Sequence, residues 1–213
     1  SNLDIQIKKG ERVAIIGPTG AGKTTLSNLM CGLLSPEVGS IQLNGVDCRM
    51  INRSDFFKTV GVVFQEPWLF AGSLRENISM GFEDVNDDKI LEALRLTGSN
   101  INPEQPDETL DSLILSQGKN LSGGQKQSIA LSRAVLFDQP LLVMDEPTSA
   151  MDQMMEDRLV ERLSSYASDK TLLLITHKPN MLKLCDRIIV LDQGRITFNG
   201  SKEQYVELVK KNV

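Results

Sequence analysis

The chain has 213 residues, 40% hydrophobic and 24% charged, with a net charge of −5; this is the make-up of a soluble globular protein with one sizeable core, and it excludes a disordered or fibrous chain. No block of Lys and Arg breaks the acidic balance, which excludes a nucleic-acid surface built on clustered positive charge. Cys31, Cys48 and Cys185 are odd in number and lie 17 and 137 residues apart, a pattern of reduced thiols in a reducing compartment rather than of a zinc site or disulfide framework. No apolar run reaches the length of a bilayer crossing and the chain opens on no signal peptide, so a membrane role requires another segment.

Ser1-Asn2 leads at once into an apolar alternation, which reads as a trimmed start with more sequence expected upstream. Residues 4–7 and Arg12–Ile16 read as strands, 23–34 as a helix, and 40–43 as a strand closing on the turn Asn44-Gly45. A strand at 60–64 follows, then a helix at 87–96 with Ile90, Leu91 and Leu94 on one face. Residues 100–119 contain Pro103 and Pro106, show little periodicity and read as a loop or a mobile connection. The helix expected over 124–137 turns Ile129, Ala130, Ala134 and Phe137 to one side. Beyond it the pattern alternates: strand Leu141–Asp145, helix 154–166, strand 171–176, short helix 180–184, strands 187–191 and 195–198, and a helix opened by the capping box Ser201-x-x-Gln204. Strands separated by crossover helices predict an α/β fold with a mostly parallel central sheet and an antiparallel β portion at the N-terminal end. Residues 66–138 read as a helical subdomain inserted between 1–65 and 139–213 of a single domain.

Gly17, Pro18, Thr19, Gly20, Ala21, Gly22, Lys23, Thr24 and Thr25 form a phosphate-binding loop in its required context, after a strand and before a helix. The fold is therefore read as a P-loop NTPase. Gly20 and Gly22 let backbone N–H groups turn inward around phosphate oxygens at a helix N-terminus. Lys23 adds charge near the β- and γ-phosphates, the Thr24 hydroxyl is placed for Mg²⁺, and Thr25 supports the same phosphates. The apolar strand 141–144 delivers Asp145 and Glu146 to the same sheet edge, Asp145 suited to hold Mg²⁺ and Glu146 to orient or deprotonate water. His177 ends the strand 171–176 and reads as a hydrogen-bond partner of the γ-phosphate. Gln65 follows the strand 60–64 on that edge, where its amide reaches Mg²⁺ or the water.

A second glycine pair stands in Leu121-Ser-Gly-Gly-Gln125. By its composition it could simply start a helix, with Ser122 as the cap. In this order, the phosphate loop, Gln65, residues 121–125, the strand ending in Asp145-Glu146, Ser149-Ala-Met-Asp152 and His177 resemble the nucleotide-binding domain of ATP-binding cassette (ABC) transporters. The resemblance covers nearly the whole chain. It implies an ATPase using ATP and Mg²⁺, with Glu146, His177, Gln65 and Lys23 as the catalytic group and Thr24, Gln65 and Asp145 around the metal. It further implies that two copies pair head to tail, so that Ser122, Gly123, Gly124 and Gln125 close over the ATP held by the partner's loop and Asp152 lies across the interface.

The segment from Gln65 to Ile78 is similar to that of exporters, in which it meets the membrane domain; Trp68, Leu69 and Phe70 are the expected anchors. The C-terminal third resembles type I protein-secretion ATPases. These likenesses imply a transmembrane partner that itself contacts the cargo, and a place on the cytoplasmic face of the inner membrane. In two respects the chain departs from the pattern: it begins after the position of the adenine-stacking aromatic, and Leu115-Ser-Gln-Gly118 lacks the glutamate usual before the signature. The competing expectations are a soluble ABC-type ATPase acting on DNA or ribosomes, against which stand the single cassette and the placement of Lys23 and Leu121 98 residues apart, and a nucleotide-gated module without turnover, against which stand Glu146 and His177.

Overall fold

Successive residues of the central strands alternate between two apolar layers, and this alternation builds the sheet. The computed structural model of the chain describes residues 3–82, 84–99 and 106–211. Strand β1 (Arg12–Ile16) runs into helix α1 (Lys23–Met30), followed by the small hairpin β2 (Gln42–Leu43) and β3 (Val46–Asp47), then α2 (Arg53–Thr59) and β4 (Val60–Val63). Next come β5 (Gly72–Ser73), α3 (Leu74–Ser79), α4 (Asp87–Thr97), α5 (Pro106–Leu110), β6 (Leu113–Ile114) and the long α6 (Gly123–Leu136). Strand β7 (Leu141–Asp145), α7 (Gln153–Tyr166), β8 (Thr171–Ile175), β9 (Arg187–Asp192), β10 (Arg195–Ser201) and α8 (Lys202–Lys211) complete the order.

The main sheet runs β10-β9-β1-β8-β7-β4, parallel throughout except for the antiparallel β9–β10 pair. Ala14, Leu142, Met144, Leu172 and Leu174 face one layer with Leu159 and Leu163 of α7. Their neighbours Val13, Ile15, Val143, Leu173 and Ile175 face the other, against Leu26 and Met30 of α1 and Phe56 of α2. Helices α3 to α6 bury a third cluster, including Ile78, Ile90, Leu94 and Leu110. Helix α6 belongs to two of these layers: Ala130, Leu131 and Ala134 pack toward the sheet, Ile129, Val135 and Leu136 toward the helical cluster. It thereby fixes the helical part of the molecule to the sheet.

Several expectations need correction. Residues 4–7 have no regular secondary structure; Leu3, Ile5 and Ile7 cover the second layer, but they join no ladder among the described residues. Among the described residues the antiparallel portion near the N-terminus is the β2–β3 pair, and further antiparallel pairs join β5 to β6 and β9 to β10. The first helix stops at Met30 rather than 34, because Gly32 turns to a φ of 70° and leaves Leu33 and Leu34 exposed. Within 100–119, residues 100–105 lie outside the described residues; the remainder holds α5 and β6, whose partner β5 sits 40 residues earlier. Phe137 is exposed at the end of α6 and stacks edge-on against Phe82 instead of entering the core. Cys31 and Cys185 are buried and Cys48 half-buried, all as free thiols.

Candidate active site

Strand register assembles the site. Ile15 and Asp145 both pair with Ile175, and Val63 pairs with Met144. Gly17, Glu146, His177 and Gln65 therefore leave neighbouring strands at one level of one edge, the carboxyl end of the parallel sheet where ligands collect. Gly17 has a φ of 153°, and a Cβ there would stand 2.0 Å from the carbonyl oxygen of Leu191; only glycine lets the loop leave β1 so close to β9. Lys23 Nζ donates to the carbonyls of Gly17 at 2.8 Å and Pro18 at 3.0 Å. The lysine thus ties the loop around its own charge, at the N-terminus of α1 where anions are favoured. Thr24 and Thr25 are exposed at that helix start.

Behind the loop Asp145 is 2% exposed, and its Oδ1 has no hydrogen-bond partner. Burial pushes its carboxyl upward; the charge of Glu146 adds to the rise, while the Ser27 hydroxyl and Lys23 oppose it. A buried carboxylate oxygen left unpaired costs free energy unless a cation satisfies it, so Asp145, with the Thr24 hydroxyl, fits a magnesium ion. Among the described residues no cluster of three or more His, Cys, Asp or Glu forms. An ion held here would take most of its ligands from outside the protein, as magnesium commonly does.

Glu146 is 7% exposed and sits at a φ of 47°, a left-handed conformation uncommon outside glycine and frequent at functional sites. Its Oε1 lies 2.8 Å from Nδ1 of His177, and its Oε2 accepts from the His177 backbone N–H at 3.4 Å. The imidazole itself is 66% exposed. Glu146 therefore engages one ring nitrogen, and Nε2 has no hydrogen-bond partner among the described residues. Gln65 is exposed, two residues past β4.

The residues of 121–125 take no part in this edge. Ser122 Oγ accepts from the Gln125 backbone N–H at 3.2 Å, and Gln125 Oε1 accepts from that of Ser122 at 2.8 Å, a reciprocal box opening α6. Gly123 and Gly124 lie against Ala150 and Met155. Asp152 caps α7 through the Met155 N–H at 2.8 Å. Among the expected anchors, Trp68 is 68% exposed, Phe70 half-buried and Leu69 fully buried, so Leu69 is core. Arg133 displays Trp68, donating to its carbonyl at 2.6 Å and to that of Asn77 at 2.6 Å; burial lowers the arginine to about 10.

Sequence reading missed Ser27, which lies beside Asp145, and missed Gln127, Lys178 and Glu156, which brace the loop after β7. Gln127 stands in the same helical opening as Ser122, and the adjoining pair His177-Lys178 was the signal for the second; neither is legible as a contact without the fold.

Residues 1–149 match the family described as ABC transporter. The chain is 36% identical over 211 residues to the beta-(1→2)glucan export ATP-binding/permease protein NdvA of Bartonella bacilliformis, covering 99% of this chain and 35% of that protein. It is 34% identical over 205 residues to an ABC transporter ATP-binding protein of Bacillus subtilis, YfiC, covering 96% and 34%. A bacterial Atm1-family ABC exporter solved with ATP bound superposes with a TM-score of 0.84 at 30% identity, covering 96% of this chain and 35% of that one. The chain thus spans about a third of the length of these relatives.

Proposed function

The chain belongs to the ABC transporter family, and on that premise we propose that it is the ATP-binding and hydrolysing domain of an exporter, acting as a head-to-tail pair of copies that close around Mg-ATP. The observation that carries this reading is the pairing of Glu146 with His177 on the edge that also holds the phosphate loop, while Ser122 and the start of α6 stand apart from it.

Backbone N–H groups from Gly17 to Thr25 and the Lys23 ammonium bind and orient the phosphates, the lysine exchanging its two loop carbonyls for β- and γ-phosphate oxygens. A magnesium ion, when bound beside Asp145 and Thr24, supplies neutralising charge on the phosphate oxygens. Glu146 takes a proton from water as its oxygen bonds to the γ-phosphorus and the bond to the ADP oxygen breaks. His177, held by Glu146 at Nδ1, hydrogen-bonds the transferring group from Nε2 when both ring nitrogens carry a proton. Gln65 holds the water or the metal's shell. The partner's Ser122–Gln125 segment caps the γ-phosphate with N–H and hydroxyl donors, and Asp152 faces the second copy. Loss of that phosphate removes the bridge, and the copies part.

Trp68, displayed by Arg133, serves as a contact to a transmembrane partner at the cytoplasmic face of the inner membrane, and that partner holds the cargo. No helix among the described residues is long and apolar enough to cross a membrane. Protein secretion finds no support among the relatives named above, of which NdvA is described as a glucan exporter. A mixture of Lys23→Ala and Ser122→Arg copies, each nearly inactive alone, tests the shared site: a mixed pair holds one intact site, so phosphate release returns on mixing. Continued silence of the mixture contradicts it.

A further inference from the structure

The loop 146–152 carries Glu146 at one end and Asp152 at the other, and it is held from two sides. From α6, the buried Gln127 donates its amide to the carbonyl of Glu146 at 3.4 Å and to the Ser149 hydroxyl, and accepts from the Ala150 N–H at 2.9 Å. Gly123, at the start of the same helix, approaches Ala150 so closely that a Cβ would lie 2.8 Å from its methyl group. From the far side Lys178, the neighbour of His177, donates to the carbonyls of Thr148 at 2.7 Å and Met151 at 3.3 Å. Its charge is balanced at 2.7 Å by the buried Glu156, which also accepts from the Thr148 hydroxyl at 3.0 Å.

A segment pinned at Glu146 and at each of residues 148–151, and packed at interior density, passes a displacement on rather than absorbing it. Three of those pins belong to Gln127, five residues from Ser122 on one helix. Any shift of the start of α6 therefore moves the peptide of Glu146.

From this geometry, and resting on the proposed shared site, we infer that Gln127 is a positioning residue that couples the two reaction centres of the pair. When Ser122 engages the nucleotide held by the second copy, Gln127 sets the place of this chain's own Glu146 against the water in the other centre. The lysine–glutamate clamp keeps the loop stiff enough to carry the signal, so each hydroxyl-bearing opening reports occupancy of one site to the carboxylate of the other.

The test uses the full-length protein, with Glu146→Gln as the inactive reference, and follows ATP turnover, the Hill coefficient for ATP, ADP binding and thermal unfolding. The parent is expected to turn over ATP with a Hill coefficient above one. Gln127→Leu is expected to lower kcat by about 10-fold or more and bring the Hill coefficient to one, with ADP affinity unchanged. A merely structural glutamine would lower the unfolding temperature and leave cooperativity intact. A folded Gln127→Leu protein that keeps its Hill coefficient, whatever its kcat, overturns the inference, as does a parent without cooperativity. Should the leucine variant fail to fold, Gln127→Asn, which keeps the amide but not its reach, is held to the same two readouts. A parent no more active than Glu146→Gln overturns the proposed function beneath.

Discussion

The sheet edge and the opening of α6 are both rich in glycine and polar side chains, yet they are satisfied in opposite ways. At the edge, the Asp145 oxygen is buried and unpaired, the exposed imidazole of His177 has one nitrogen engaged, and Lys23 donates to two carbonyls of its own loop. At α6, Ser122 and Gln125 each accept the other's backbone N–H, with Gly123 exposed and Gly124 buried between them. The first region is strained toward a ligand; the second is a finished helix start that gains a ligand only if one is brought to it. In the proposed pair, this difference lets a segment serve the partner's reaction while contributing to its own chain little more than a cap.

The largest expected effect breaks the comparison at the edge. Glu146→Gln should cut phosphate release by about 10³-fold, some 4 kcal/mol of barrier, with ADP binding and unfolding temperature kept; retained turnover removes Glu146 from the chemistry. Next comes the brace between the regions. Glu156→Leu leaves the Lys178 ammonium without its countercharge and should cost about 3 kcal/mol in urea unfolding, whereas an unchanged midpoint means the pair is not structural.

Smaller again is the alkaline response of the layers behind the edge. Burial pushes the thiols of both Cys31 and Cys185 up to about 12 from an ordinary 9.0. As pH rises the unfolded chain loses these protons first, so between pH 9 and about 12 each thiol removes about 1.4 kcal/mol of stability per pH unit. Replacing both by Ala should flatten that fall, and equal slopes for parent and variant would show the thiols ionise as freely folded as unfolded. Smallest for the fold is Ser122→Ala, which removes a cap worth about 1 kcal/mol. Calorimetry should register only that loss and ADP binding none, while turnover falls far more than a lost cap explains; a turnover loss no larger than the stability loss would return the segment to a plain helix start.

Much of this molecule can be read along the chain, and the failures have a common cause. The phosphate loop is legible because its function is a property of consecutive backbone, φ angles and one lysine, all within nine residues. Asp145, Glu146 and His177 are legible because parallel strands in register end together. Helices α2 and α3, by contrast, are too short for periodicity to show, and α3 is specified by the box Ser73–Glu76 and by Asn77 buried against Phe70. The strand expected at 4–7 has the right alternation, but a ladder needs a free neighbouring edge, and β9 and β8 already flank β1. Leu69 reads as an exposed anchor beside Trp68 because adjacent apolar residues carry no label for which of them turns inward.

By itself the sequence determined the local chemistry: which residues turn, which carry charge, and which apolar faces must be covered, since these follow from side-chain types at fixed spacing. Only the tertiary structure decided that Gln127 meets the loop of Glu146 across 19 residues of chain and that Lys178 meets Glu156 across 22. Such contacts depend on how helices seat on a sheet, a matter of packing at interior density that no periodicity along the chain encodes.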